Sequence, residues 1–292
     1  MQPDVHAWFH KGTNTVSYLV WDPATGHAAV IDPVLDYDQA GARTSTASAE
    51  AVLAEVAARG LELKWILETH AHADHLSAAD WLRERTGAPV GVGRGILEVQ
   101  ATFAALLQVE DLKPGGRDFD RLWADGEEFA LGELSVRVLH TPGHTPACVS
   151  YLMGDAVFVG DTLFMPDFGT ARTDFPGGCA RTLYRSIRRL LDLPPETRVF
   201  VGHDYLPKAR PGAEARTAFA WETTVAAQRT SNLHVGGDIG EDGFVAMREA
   251  RDATLPVPAL LLPALQVNIR AGRLPPPDAD GRRWLKLPLD AV

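Results

Sequence analysis

Cysteine is scarce in this 292-residue chain. Cys148 and Cys179 allow one disulfide at most, so no disulfide framework holds the fold. Long apolar runs are missing as well. None approaches the roughly 18 residues that a bilayer-spanning helix needs. The opening residues, Met1-Gln2-Pro3-Asp4-Val5-His6, carry neither the basic nor the apolar region of a signal peptide, and the expected location is the cytoplasm. Positive charge is in short supply: 28 Lys and Arg face 38 Asp and Glu, a formal net charge of −10. That balance argues against a nucleic-acid partner, which would select a basic surface. No internal repeat is visible. What remains is the composition of an ordinary globular protein, 46% hydrophobic and 23% charged. The length suits one domain, or one domain with an extension.

Against this background one stretch stands out, Thr69-His70-Ala71-His72-Ala73-Asp74-His75. Three imidazoles and a carboxylate fall within six residues. Leu63 to Leu67 before it reads as a buried strand, and Leu76 to Leu82 after it as a helix. Extended residues two apart point the same way, so His70 and His72 can face one point. Asp74 and His75 approach from where the chain turns. Neutral imidazole and carboxylate are ligands for zinc or a similar first-row metal. The motif speaks for a metal and is silent on the reaction.

Alternation predicts a hairpin over residues 14–31, turning at Asp22-Pro23-Ala24-Thr25-Gly26. Residues 48–59 read as a helix with Ser48 as its cap. Residues 95–107 show no clean period. Leu131 to Leu139 reads as two short strands or one bent one, broken near Gly132. Gly154-Asp155 signals a second hairpin. Residues 181–192 are the clearest helix, with Leu183, Ile187, Leu190 and Leu191 on one face and Arg181, Arg185, Arg188 and Arg189 read as a solvated face. A further helix is expected from about 213 to 230. From about 236 the chain is rich in proline. The expected division is a domain over 1–235 and an extension over 236–292 that packs on the domain or on a partner subunit.

Three later stretches place a His or Asp just past a strand: His144 in His140-Thr141-Pro142-Gly143-His144-Thr145, Asp161 in Gly160-Asp161, and His203 in Gly202-His203. Ligands at several strand ends of one sheet converge on a single rim, and a preceding glycine in each suits tight backbone geometry near an ion.

His70-x-His72-x-Asp74-His75 followed by His144, Asp161 and His203 resembles the metallo-β-lactamase fold superfamily. The resemblance covers about residues 14–205 and implies a four-layer αβ/βα sandwich with the metal at one edge. Thr141-Pro142-Gly143-His144-Thr145, Arg172-Thr173-Asp174-Phe175, Gly178 to Tyr184 and His203-Asp204-Tyr205 resemble the persulfide dioxygenases, including bacterial β-lactamase-like members of sulfide metabolism. That family oxidises glutathione persulfide with O2 to sulfite and glutathione at a mononuclear non-haem iron. The resemblance implies one Fe(II) held by His70, His144 and Asp161, a set of two imidazoles and one carboxylate that leaves open positions. It implies that His72, Asp74, His75 and His203 form a supporting shell or a second metal site. It implies Arg172 as the anchor of a glutathione carboxylate and Tyr205 as a donor to the substrate. The loop from Leu163 to Ala171 is longer than in the mitochondrial members and looks like the bacterial subgroup. The plainer reading of Arg172 is an ion pair with Asp174 or a contact with the extension.

Two other readings stand beside this one. A glyoxalase II-like hydrolase of glutathione thioesters would use two metals, such as zinc, sharing Asp161; Lys208-Ala209-Arg210 is the nearest candidate for its late basic cluster. A metal-bound persulfide or redox sensor is the third. A homodimer is expected from the apolar content of the extension.

Overall fold

The computed structural model describes residues 2–206 and 216–290. The first half builds a six-stranded sheet from β1 (Asp4–His10), β2 (Thr15–Trp21), β3 (His27–Ile31), β6 (Glu62–Leu67), β8 (Val90–Gly93) and β9 (Arg121–Trp123), in that spatial order. The intervening β4 (Val34–Asp38), β5 (Arg43–Ser45) and β7 (Leu76–Ser77) form a small sheet beside it. The second half adds another six strands in sequence order: β10 (Glu128–Leu131), β11 (Leu134–His140), β12 (Val149–Met153), β13 (Ala156–Phe158), β14 (Arg198–Phe200) and β15 (Glu222–Thr224). Helices α1 (Ala47–Ala58), α2 (Ala79–Thr86) and α3 (Ile96–Leu107) belong to the first half; α4 (Ala180–Leu191) and α5 (Val225–Ser231) belong to the second. Two more follow, α6 (Glu241–Asp252) and α7 (Leu261–Asn268).

The two-residue period of a strand explains the layering. Along β2, Val16, Tyr18 and Val20 face the second sheet and meet Val136, Tyr151, Phe158 and Phe200. Leu19 and Trp21 face the other way, into a core shared with α1, α2, α3 and α7. The outer face of the second sheet packs on α4, α5 and α6 through Val157, Val199, Leu183, Ile187 and Phe244. The result is helix, sheet, sheet, helix, the four-layer αβ/βα sandwich that the family resemblance implies.

Several local expectations are corrected. Leu76 and Ser77 pair with Val34 and Leu35 as a short strand, and α2 begins only at Ala79. Residues 95–107, where no period was legible, form α3, because Val99, Phe103 and Leu107 supply a narrow buried stripe at i, i+4 and i+8. Thr46 rather than Ser48 occupies the cap of α1; the Ser48 hydroxyl donates instead to Asp36 at 2.7 Å. The break at Gly132 (φ +66°) is the turn of the β10–β11 hairpin. The helix expected over 213–230 is not one: β15 pairs with β14 first, and α5 starts at Val225, capped by the Thr224 hydroxyl accepting from the Ala227 amide at 3.1 Å. Residues 213–215 of that helix, and Lys208-Ala209-Arg210, lie outside the described residues.

Residues 236–290 run over both halves. Helix α6 packs on α4, and the arginine face read as solvated is partly engaged there: Arg181 and Arg185 both donate to Glu241. Helix α7 buries Ala264, Leu265 and Val267 in the first core, each large apolar side chain contributing roughly 1.5–3 kcal/mol.

Candidate metal centre

The ligand-type residues come together at one rim. His70, His72, Asp74 and His75 lie on the turn between β6 and β7; His144 follows β11, Asp161 follows β13 and His203 follows β14. The chain must turn sharply at each strand end. Gly160 has φ +50°, and a Cβ there would run into the side chain of Thr69. Gly143, at φ +129°, lies against the backbone of Leu183, so the loop bearing His144 sits directly on the start of α4.

Two groups of three form inside this rim, each with one ligand atom per residue and all three atoms within 4.8 Å: His70, His144 and Asp161, and His72, Asp74 and His203. Asp161 stands between them. Its Oδ2 lies 3.9 Å from His70 Nε2 and 3.7 Å from His144 Nε2, while its Oδ1 lies 3.3 Å from His203 Nε2. His203 Nε2 is also 3.3 Å from Asp74 Oδ2. His75 is buried beside His72, their rings 4.2 Å apart.

Each ring is oriented by its other nitrogen or by a neighbour. His70 Nδ1 lies 3.0 Å from the Thr69 hydroxyl, His144 Nδ1 lies 2.8 Å from the Arg172 carbonyl, His203 Nδ1 lies 3.1 Å from the Asn14 carbonyl and His75 Nδ1 lies 3.1 Å from the Leu76 carbonyl. An imidazole N–H given to a carbonyl leaves the far nitrogen with its lone pair free. Burial, together with the charge on neighbouring histidines, pushes the His70 pKa well below its ordinary value and that of His75 down to about 3. Both are therefore neutral at pH 7, the state a metal needs.

His72 behaves differently. Burial opposes its charge, yet Asp32 and Glu68 hold its pKa well above the ordinary value. Its Nε2 is 3.0 Å from Asp32 Oδ1 and 3.3 Å from Glu68 Oε2. Sequence reading missed both partners. Neither Asp32 nor Glu68, the residue immediately before the motif, stood out in the sequence. Asp32 also accepts from the Thr69 amide at 2.7 Å and its hydroxyl at 2.8 Å, so this carboxylate pins the start of the turn. A third missed residue comes from α7. The Asn268 side chain donates to the carbonyls of His72 and His75, both at 2.8 Å, and accepts from the Ser77 amide at 2.8 Å.

The donor set fits a metal. His72 Nδ1, His75 Nε2, His203 Nε2 and Asp161 Oδ1 are buried without a hydrogen-bond partner among the described residues. Leaving such a group unpaired costs about 1–3 kcal/mol, and unpaired ligand-type atoms gathered at one rim suit a cation.

Above the cluster lies a cavity of about 630 Å³, floored by Asp74, His144 and Asp161 and walled by Phe164, Phe168 and Tyr205. Tyr205 stacks on the His203 ring at 5.7 Å. Burial, then Asp74 and Asp161, push its pKa well above the tyrosine range, so the hydroxyl remains a proton donor. Arg172 lines the cavity, but all three of its nitrogens are engaged: Nε and Nη2 bond the two oxygens of Asp174 at 2.6 Å, and Nη1 the Pro256 carbonyl at 2.7 Å. His140 turns away, its Nε2 2.9 Å from the Pro146 carbonyl. His10, to which the sequence assigned no role, lines the cavity instead.

A strand-built rim of this composition between two helix-covered sheets defines a metallo-β-lactamase fold. Residues 10–203 match the model of the metallo-beta-lactamase superfamily, and the chain belongs to that family. It is 51% identical over 99% of its length to a probable metallo-hydrolase of Burkholderia pseudomallei, of which it covers 99%. It is 47% identical to glyoxylase B2 of Dictyostelium discoideum, covering 94% of this chain and 93% of that one. It is 29% identical to the mitochondrial persulfide dioxygenase ETHE1 of Mus musculus, covering 92% of this chain and 89% of that protein. Among solved structures, ETHE1 from Myxococcus xanthus superposes with a TM-score of 0.72 at 33% identity, over 92% of this chain and all of that one.

Proposed function

We propose that the protein is a persulfide dioxygenase that oxidises glutathione persulfide with O2 to sulfite and glutathione, at one iron held by His70, His144 and Asp161. The observation that carries this reading is the grouping of two imidazoles and one carboxylate at the cavity floor, with the Nε2 of His72 turned to Asp32 and Glu68. The likeness to ETHE1 supports it. Iron bound there would supply adjacent open positions for the persulfide sulfur and O2. One O2 and one water are consumed per persulfide: the outer sulfur is oxidised, and the inner sulfur leaves with a proton as the thiol.

The chain's own residues hold and orient. The carbonyls of Arg172 and Asn14 fix His144 and His203. Phe164, Phe168 and Tyr205 make an aromatic wall that limits water at the cavity floor. Tyr205 offers a proton to the substrate near the sulfur. Arg216 grips Asp204 through two bonds, of 2.6 and 2.7 Å, and so steadies the segment that carries Tyr205.

A second reading, a two-metal hydrolase of glutathione thioesters, is favoured by the placement of Asp161 between both groups of three, where one carboxylate could serve two ions. The names of the Burkholderia and Dictyostelium relatives point the same way. Metal analysis of anaerobically purified protein, paired with O2 uptake on glutathione persulfide and hydrolysis of S-lactoylglutathione, separates the two. About one iron per chain with O2 uptake supports the dioxygenase. Two zincs with thioester hydrolysis would overturn it.

A further inference from the structure

The His10 ring stands between two cavities. It lines the metal cavity, and among the described residues it alone also lines an outer pocket of about 330 Å³ formed with Trp8, Val34 and Ser48. Its two nitrogens meet different partners. Nδ1 lies 2.8 Å from the Thr13 hydroxyl, and Nε2 lies 3.3 Å from Asp36 Oδ1. Asp36 is itself fixed, accepting from the hydroxyl and the amide of Ser48 at 2.7 and 2.9 Å. Gly12 folds closely over the ring; a Cβ there would lie 2.9 Å from His10 Cε1.

From Thr13 the contacts continue inward. The hydroxyls of Thr13 and Thr15 bond each other at 2.8 Å, and Thr15 donates to Asp74 Oδ2 at 3.2 Å, at the metal floor. A file of hydrogen bonds thus runs from the floor to His10, with Asp36 beyond it. The His10 and Asp36 side chains are each 24% exposed, so the outer end of the file meets water. A hydroxyl both donates and accepts, and an imidazole can take a proton on one nitrogen while giving one up from the other.

We propose that His10 is the proton port of the metal cavity, passing protons released at the floor to Asp36 and the solvent outside. The inference rests on the reading that a water is consumed at the metal floor, and it serves either reaction considered there. Persulfide, O2 and water give thiol, sulfite and protons; thioester and water give carboxylate, thiol and a proton. The aromatic wall limits water at the floor, so a fixed route has a use. Each passage takes one proton in and gives one out. With Nε2–H turned to Asp36, Nδ1 accepts the Thr13 proton, and Thr13, which lines the cavity, is refilled from cavity water. The imidazolium then gives its Nε2 proton to Asp36 or to solvent. The neutral ring left behind carries its proton on Nδ1 and returns to the first tautomer by exchange with solvent.

The test is steady-state turnover of the metal-loaded enzyme in dilute and in concentrated morpholine buffer, at equal ionic strength. This buffer carries protons without binding metal strongly. Wild type should turn over equally in both. His10→Ala should keep its metal and its KM but lose kcat about ten-fold in dilute buffer, less than the ~10²-fold or more of a group acting on the substrate itself. Concentrated buffer should restore most of that loss. Thr13→Val keeps the ring and the shape of the side chain, and should show the same buffer-dependent loss; it decides the matter if His10→Ala does not fold. Wild-type kcat in dilute buffer would overturn the proposal. So would a loss that concentrated buffer does not repair, which marks a structural role. A wild type without O2 uptake removes the dioxygenase alone, and the same comparison is then read on thioester hydrolysis. A wild type idle on both substrates would overturn the port together with the reading it rests on.

Discussion

His144 Nδ1 lies 2.8 Å from the main-chain carbonyl of Arg172. The carbonyl accepts a hydrogen bond from Nδ1–H and leaves Nε2 facing Asp161, so Arg172 serves the candidate metal centre through its backbone. Its side chain is spent on Asp174 and Pro256. Both plainer roles weighed from the sequence, an ion pair with Asp174 and a contact with the extension, are present together.

Arg172→Ala is therefore expected to keep its metal, because the carbonyl survives the substitution. The Asp174 carboxylate is 37% exposed, so solvent screening limits the lost pair to about 1 kcal/mol. Metal content and thermal unfolding of the variant check this. Metal loss beyond half would show that the side chain, too, positions His144.

Tyr205→Phe should lower kcat at full metal loading, because its hydroxyl stays protonated and faces the cavity. Loss of one hydrogen bond donated to a charged group is worth about 1.5–3 kcal/mol, roughly 10- to 100-fold in rate. Kinetics on the metal-replete variant with wild-type kcat would remove Tyr205 from the chemistry.

Metal retention should separate the two groups of three. His144→Ala loses one of three proposed ligands and should be isolated nearly metal-free. His72→Ala should keep most of its metal, since its Nε2 is turned to Asp32 and Glu68. Equally poor retention in both would mean that His72 Nδ1 is itself a ligand.

Asn268→Ala should damage the metal turn from a distance in sequence. It strips the His72 and His75 carbonyls and the Ser77 amide of their partner. Unpaired buried groups of this kind cost on the order of 3 kcal/mol together. Denaturant unfolding of the metal-free variant reads that loss, and metal titration reads the weaker site. Wild-type values in both would show that the turn holds its shape without α7.

The link between α7 and the segment after α3 should loosen in acid. Asp111 bonds Arg270 at 2.6 Å and Arg273 at 3.0 Å; burial opposes its ionisation, but these arginines hold its pKa below the ordinary carboxylate value. A depressed folded pKa stabilises above the unfolded value of about 3.9 and is lost as pH falls through the folded one. Asp111→Asn should therefore be less stable than wild type at pH 7, by about 1 kcal/mol for a half-buried acid still reached by solvent. The gap should close as the pH falls below about 4. A gap that persists at pH 3 would locate the effect in packing.

The candidate ligand residues were legible because each sits in a short local signal. His70-x-His72-x-Asp74-His75 needs only a strand end and a turn to gather, and Gly143, Gly160 and Gly202 announce the remaining turns. The four layers were implied by the family likeness. Other features depend on partners far away along the chain. Asn268 meets His72 across 196 residues, and nothing around it in Val267-Asn268-Ile269 distinguishes it from any helix-end asparagine. For Arg172 the sequence left an anchor and an ion pair with Asp174 side by side, and only the fold shows Asp174 and Pro256 engaging it. The residues expected to be helical before Val225 became β15 because β14 offered an open edge whose backbone hydrogen bonds had to be met. Local chemistry chose which side chains could bind a metal. Packing of α6 and α7 back onto both sheets decided which of them are held in place.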